Sequence, residues 1–321
     1  MRESGKKVIV SLGGNAIIRR GETGTVEEQF ENTGKACEYM ARMAAEGRSV
    51  IITHGNGPIV GNILIRNEAM KEKLPPMPLY ICDADSEGGI GFMIQQTLHN
   101  RLRKAHMLED VVTVVTQVVV DRNDPAFSDP TKPIGPYYTI EEAEELTRNA
   151  GGVGWSMVED AGRNGAYRRV VPSPRPMRVV EAAVIKKLAE TGTIVIAAGG
   201  GGVPVTEDPD GTLTGVDAVI DKDLATSTLA REVGAELFIN LTEIDMVYLG
   251  FGTPEQKGIE EMTVKEAKGY LAEGQFPAGS MGPKIEAAIE FLENGGKEVF
   301  ITTPELIEEA LEGRAGTKVT P

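Results

Sequence analysis

The chain has 321 residues, 41% of them hydrophobic, which is enough to bury a substantial core in one large domain or two modest ones. With 33 basic against 48 acidic residues, its formal net charge of −15 repels nucleic-acid phosphates and anionic membrane surfaces, so an anionic ligand has to be met by local basic groups. The longest strongly apolar stretch, Val111 to Val120, falls far short of the ~20 residues that span a bilayer, and Met1 to Lys7 does not resemble a secretory signal, so a cytoplasmic protein is expected.

Val8 to Leu12 is a short apolar run ending in Gly13, Gly14 and Asn15. Thr25 and Glu28 have capping-box spacing, after which Val26, Phe30, Cys37, Met40 and Ala44 recur on one face of a helix that Gly47 stops. A second apolar run, Val50 to Thr53, ends in His54-Gly55-Asn56-Gly57. From Asp121 to about Arg178 the rhythm breaks. Prolines from Pro125 to Pro176, interleaved with Phe127, Tyr137, Tyr138, Trp155 and Tyr167, predict an insertion with its own small fold or a lid. Thr139 and Glu142 open a helix within it.

Ile194 to Ala198 is again apolar and ends in Gly199 to Gly202. Near Gly202 to Pro209 the chain is expected to pass from an N-terminal lobe, about residues 1–205, to a C-terminal lobe, about 206–321. Leu237 to Asn240 and Val299 to Thr302 repeat the strand pattern. Between them Thr263 and Glu266 cap one helix, and Pro283 opens another whose apolar face carries Ile285, Ala288, Ile289 and Leu292. Apolar strands alternating with helices imply a mainly parallel sheet covered on both faces, with ligands beyond the carboxyl ends of the strands, where the glycines cluster. Cys37 and Cys82 suit buried free thiols, and no residues have metal-ligand spacing.

Three lysines have unusual settings. Lys284 lies in the first turn of its helix, where a cation forgoes roughly 0.3–1 kcal/mol relative to a carboxylate. By local rules Lys284→Glu should hold or slightly raise the stability of the empty protein. Lys222 is flanked by Asp221 and Asp223 in "DAVIDKDLA", and Lys132 lies in the proline-rigid "SDPTKPIGPYY". Such cations near glycine loops suit phosphoryl transfer, which depends on positioning and on neutralising charge. Neither a Walker A motif nor the protein-kinase motif set is present. "HGNGPIVG" leaves a nucleotide-dependent oxidoreductase as the weaker alternative, and a non-catalytic sensor of this fold would not need all three lysines.

The segments "VIVSLGGNAI", "THGNGPIVGNIL", "DPTKPIGPYY", "AAGGGGVPV", "GVDAVIDKDLAT", "FINLTEIDMVYL" and "FPAGSMGPKIEAA" together resemble the carbamate kinases, a branch of the amino acid kinase family. The likeness runs from about Lys7 to the C-terminus. It implies a three-layer αβα sandwich around an open, mainly parallel eight-stranded sheet, commonly as a homodimer. The reaction it implies is reversible phosphoryl transfer between carbamoyl phosphate and ADP, giving ATP and carbamate. Mg²⁺ would be held mainly by nucleotide phosphates, and the common setting is arginine breakdown.

Carried over by motif, Gly13, Gly14, Asn15, Gly55, Asn56 and Gly57 would line the carbamoyl phosphate side, and Lys132 would reach in from the insertion. Lys222 and Lys284 would contact the nucleotide phosphates and the group in flight, with Asp223 holding the lysines. Asn240, Thr242, Asp245, Tyr248 and Met281 would border the nucleotide, and Gly199, Gly200, Gly201 and Gly202 its phosphate end. Many amino acid kinases carry a lysine on the first strand where this chain has Ser11. Lys132 resembles the carbamate kinase replacement, which favours this branch over acetylglutamate kinase.

Overall fold

Strands that are apolar on both faces need helices on both sides, and the central strands are of this kind. The computed structural model describes residues 6–19, 21–149, 156–159, 165–277 and 279–321, so Trp155 and the first five residues lie outside the described residues. Its main sheet has eight strands in the spatial order Glu261–Thr263, Thr317–Thr320, Glu298–Thr302, Leu237–Leu241, Lys7–Leu12, Ser49–His54, Ile194–Ile196 and Val111–Thr113. Six run parallel, and the pair Glu261–Thr263 and Thr317–Thr320 runs the other way.

The two-residue alternation of the strands sorts them into two cores. Ile9, Ile51, Val195, Phe238 and Val299 face the helices Ala182–Glu190, Lys222–Val233, Val264–Ala272 and Met281–Glu293. Val8, Val10, Val50, Ile52 and Ile239 face Val26–Ala45, Leu79–Lys104 and Ile307–Leu311. The result is an αβα sandwich. The first strand sits in the middle, flanked by Ser49–His54 on one side and Leu237–Leu241 on the other. Its carboxyl end is therefore a switch point, where the connections diverge and leave a crevice.

The predicted insertion forms a three-stranded antiparallel sheet, Lys132–Tyr138, Tyr167–Val171 and Ser156–Glu159, with the helix Ile140–Asn149. A separate four-stranded sheet is formed by Leu213–Gly215, Val203–Glu207, Gln117–Val120 and Pro176–Val179. A Cβ on Gly61 would lie 2.2 Å from the Cα of Gly135, whose φ is +73°, so a glycine pair lets the insertion strand lie directly against the helix Gly57–Met70. Ile134 and Val171 complete that seat by packing with Val60, Leu64 and Cys82.

One apolar stretch divides in the fold, and two sequence expectations change. The apolar run Val111 to Val120 splits between two sheets, because its middle turns from the edge of one to the centre of the other. Val26, placed on the apolar face by periodicity, is 58% exposed at the first position of its helix. The helix expected to start at Pro283 starts at Met281, which makes Lys284 its fourth residue. All three capping boxes form, at Thr25, Thr139 and Thr263. Burial pushes the Cys37 and Cys82 thiols up to about 12 and about 11, so both stay protonated. Among the described residues no helix is long and apolar enough to cross a membrane.

Candidate active site

At the switch point lies an open cleft of about 670 Å³. Three helices begin at its wall. Asn56 and Gly57 open the first, Asp221 and Lys222 the second, and Ser280 immediately precedes the third. Each start presents N–H groups without an intrahelical partner and the positive end of a helix dipole, so their convergence favours an anion.

The centre of the site is Asp223, with its side chain 4% exposed. Its Oδ1 accepts from Lys222 Nζ at 2.6 Å, Asn240 Nδ2 at 2.9 Å and Ser11 Oγ at 3.3 Å, and its Oδ2 accepts from Lys284 Nζ at 2.8 Å. Lys222 also donates to Ser11 Oγ at 2.7 Å. Ser11 and Asn240 are register partners on adjacent strands, so the sheet itself supports the carboxylate. Lys132 reaches from the insertion to Asp221 Oδ2 at 2.5 Å, while Asp221 Oδ1 caps its helix at the Asp223 N–H, 2.9 Å away. Three ammonium groups against two carboxylates leave one positive charge in excess.

Burial disfavours every charge here, and the pairs decide the outcome. Burial, helped by the Lys284 charge, lowers the Lys222 pKa to about 8. For Lys284 burial is outweighed by Asp223, which raises its pKa above the ordinary lysine value. Burial alone would raise Asp223, but Lys222 and Lys284 hold it well below the usual carboxylate range. Asp221 is also lowered, with Lys132 outweighing burial.

Of the residues singled out from sequence, Lys132, Lys222, Asp223 and Lys284 meet in the cleft, and Gly13, Gly14, Gly55, Asn56 and Gly57 line it with Gly200 and Thr242. The side chain of Asn15 lies outside the described residues. Gly199, Gly201 and Gly202 stand behind the wall. The Gly199 N–H donates to Glu87 Oε1 at 2.9 Å, and a Cβ on Gly201 or Gly202 would stand 2.4 Å from the Ile220 carbonyl oxygen or 2.5 Å from Val118. A Cβ on Gly199 would stand 2.3 Å from His54 Nε2, so close packing requires glycine at all three positions, and the φ of +103° at Gly201 and +80° at Gly202 requires it a second time.

Asn240 is fully buried and turned to Asp223, and Met281 lies in the core beneath its helix start. Asp245 and Tyr248 hydrogen-bond to one another at 2.8 Å and do not line the cleft. Arg168 escaped sequence reasoning. It lines the cleft, donates to the Gly135 carbonyl at 3.0 Å and lies over the Tyr137 ring at 5.3 Å. Adjacent arginines on a strand face opposite ways, and nothing local says which of Arg168 and Arg169 turns inward.

A cationic cleft of this construction, at the switch point of an αβα sheet, defines a phosphotransferase acting on small molecules. The amino acid kinase family model matches residues 6–303. Carbamate kinase of Pyrococcus furiosus is 50% identical over 99% of this chain and 100% of its own length. Carbamate kinase of Giardia lamblia superimposes with a TM-score of 0.91 at 40% identity over 98% of both chains when bound to citric acid, and with 0.89 when bound to AMP-PNP. The chain belongs to the amino acid kinase family and, within it, to the carbamate kinases. That membership sets aside the oxidoreductase reading of "HGNGPIVG".

Proposed function

We propose that this enzyme transfers a phosphoryl group reversibly between carbamoyl phosphate and ADP, giving ATP and carbamate. The observation that carries the proposal is the lysine pair bridged by Asp223. An ammonium has three N–H donors. Lys222 spends two on Ser11 and Asp223, and Lys284 and Lys132 spend one each on aspartates, so all three retain donors for phosphate oxygens. Asp223 holds Lys222 and Lys284 so close together that they act on one anion. The dipoles of their two helices add to the same field.

In this reading the glycine loops at Gly13 and Gly55 take the carbamoyl phosphate side in an N-terminal lobe, and Thr242 with the Ser280 helix start takes the nucleotide in a C-terminal lobe. Lys132 closes over the transferred group. AMP-PNP in the Giardia relative supports the nucleotide as co-substrate. Both cleft aspartates are committed to lysines, a donor set that fits Mg²⁺ carried by nucleotide phosphates. Bound there, the ion would neutralise charge on the phosphate oxygens.

The family likeness supports ATP formation in arginine breakdown. A homodimer has its own support in the helix Leu79–Lys104, where Gly88 and Gly89 sit mid-helix with nothing within 4 Å of an added Cβ, beside exposed Ile81 and Phe92. Each such glycine costs roughly 0.5–1 kcal/mol relative to alanine, which close approach of a second chain would explain.

A coupled assay of ATP formation from ADP and carbamoyl phosphate, with and without Mg²⁺, tests the reaction. Lys222→Ala and Lys284→Ala should each lose about 10²–10³ in turnover, and a loss under about tenfold would remove that lysine from the chemistry.

A further inference from the structure

Asn56 lines the cleft yet is only 3% exposed, because its side chain is fastened to the helix Leu79–Lys104. Its Nδ2 donates to Ser86 Oγ at 2.9 Å and to Asp83 Oδ1 at 3.2 Å. The single hydrogen of the Ser86 hydroxyl is already given to the Asp83 main-chain carbonyl at 2.7 Å, so toward Asn56 that oxygen can only accept. A flipped amide would set lone pair against lone pair at Ser86. The NH₂ end is therefore locked onto the helix.

Gly200 fixes the amide from a second side. A Cβ there would fall 2.2 Å from Nδ2, 2.4 Å from Cγ and 2.9 Å from Oδ1, so the amide lies against the glycine backbone. Among the described residues nothing donates to Asn56 Oδ1, and that atom is not one of the sealed, partnerless polar atoms. It is an oriented acceptor open to the cleft. Burial raises the Asp83 carboxyl well above its ordinary range, and its partnerless Oδ2 is the natural seat for the proton, which leaves Oδ1 free to accept from Asn56.

We infer that Ser86 and Asp83 are positioning residues that turn Asn56 Oδ1 into the cleft as an acceptor for the amino group of the carbamoyl moiety. The site thereby prefers a carbamoyl group over an acyl group of equal size that carries methyl in place of NH₂. This inference rests on the reaction proposed above. The lysine cluster grips phosphate and cannot make the distinction, since carbamoyl and acetyl phosphate present the same phosphate. A carbonyl oxygen that must face either N–H or methyl can, because the methyl leaves it desolvated and unpaired.

The test compares kcat/KM for carbamoyl phosphate and acetyl phosphate at saturating ADP in the wild type, Ser86→Ala and Asp83→Ala, the second of which removes the acceptor oxygen that Asp83→Asn would keep. Both variants free the amide to turn. The carbamoyl-to-acetyl ratio should drop about tenfold in each, through the carbamoyl substrate, with KM for ADP unchanged. Loosening without a positioning role would depress both substrates together and hold the ratio, which overturns the inference. A wild type that uses the two substrates equally overturns it without any variant. A wild type that makes no ATP from carbamoyl phosphate refutes instead the proposed reaction.

Discussion

Reversing the charge of Lys284 sets a helix-end effect against a buried ion pair. A glutamate near the start of the helix Met281–Glu293 would gain roughly 0.3–1 kcal/mol from the dipole. The lysine it replaces has a side chain 13% exposed and lies 2.8 Å from Asp223. Breaking a buried pair by removing one partner costs about 3–5 kcal/mol, and glutamate adds a second carboxylate beside the first. Lys222 remains to compensate Asp223, which places the net loss near the lower end, at about 3 kcal/mol. The pair outweighs the dipole several-fold, so the local expectation of unchanged or raised stability is reversed. For a chain of 321 residues, at about 1.5 °C per kcal/mol, the melting temperature of ligand-free Lys284→Glu should fall by about 4–5 °C. Lys284→Met, which removes the cation without adding an anion, should fall less. Because the pair is buried, added salt should not restore the loss. Thermal melts of the empty proteins decide the matter: Lys284→Glu melting at or above the wild type would refute the argument.

The pKa of Lys222, lowered to about 8 from 10.5, predicts that kcat/KM declines as pH rises through about 8, as the cation loses its proton. The sign for stability is opposite. The folded state binds fewer protons than the unfolded one between those values, so the Lys222 contribution to stability rises with pH across that window. A pH profile of Lys222→Arg should lack the alkaline limb, and a limb that persists would assign it to another group. Lys132→Ala should lose about 10²–10³ in turnover with the fold intact and a smaller fall in melting temperature than Lys284→Glu, because this side chain is partly exposed, and near-normal activity would sink its role. Gly61→Ala forces its Cβ against Gly135 and should cost about 1–3 kcal/mol. It should also lower kcat as the insertion lifts Lys132 from Asp221, and unchanged melting and turnover would show that the insertion is seated elsewhere.

The strands were legible because a buried parallel strand is apolar on both faces, which is why Val8 to Leu12 and Val50 to Thr53 could be read without a partner in view. The capping boxes were legible for a similar reason, since Thr25 and Glu28 satisfy each other across three residues. Lys284 was visible as a misfit from one helix turn alone. Its explanation was not, because the carboxylate that compensates it is 61 residues away in sequence.

The glycine run Gly199 to Gly202 shows the limit from another side. Sequence marked it as a phosphate loop like the others, yet three of its members are glycine because His54, Ile220 and Val118 stand against their backbone and because Gly201 and Gly202 have positive φ. Asn56 likewise announced itself by its loop, while the direction of its amide follows from the one hydrogen of Ser86, 30 residues on.

The sequence by itself determined the alternation of strands and helices, the loops at the strand ends and the three lysines, because periodicity, capping and backbone freedom act within a few residues. Only the tertiary structure decided that Asp223 joins two of those lysines, that Asp221 meets the third, and which glycines face the cleft. Charge compensation and close approach depend on what stands opposite, and the fold alone brings those partners together.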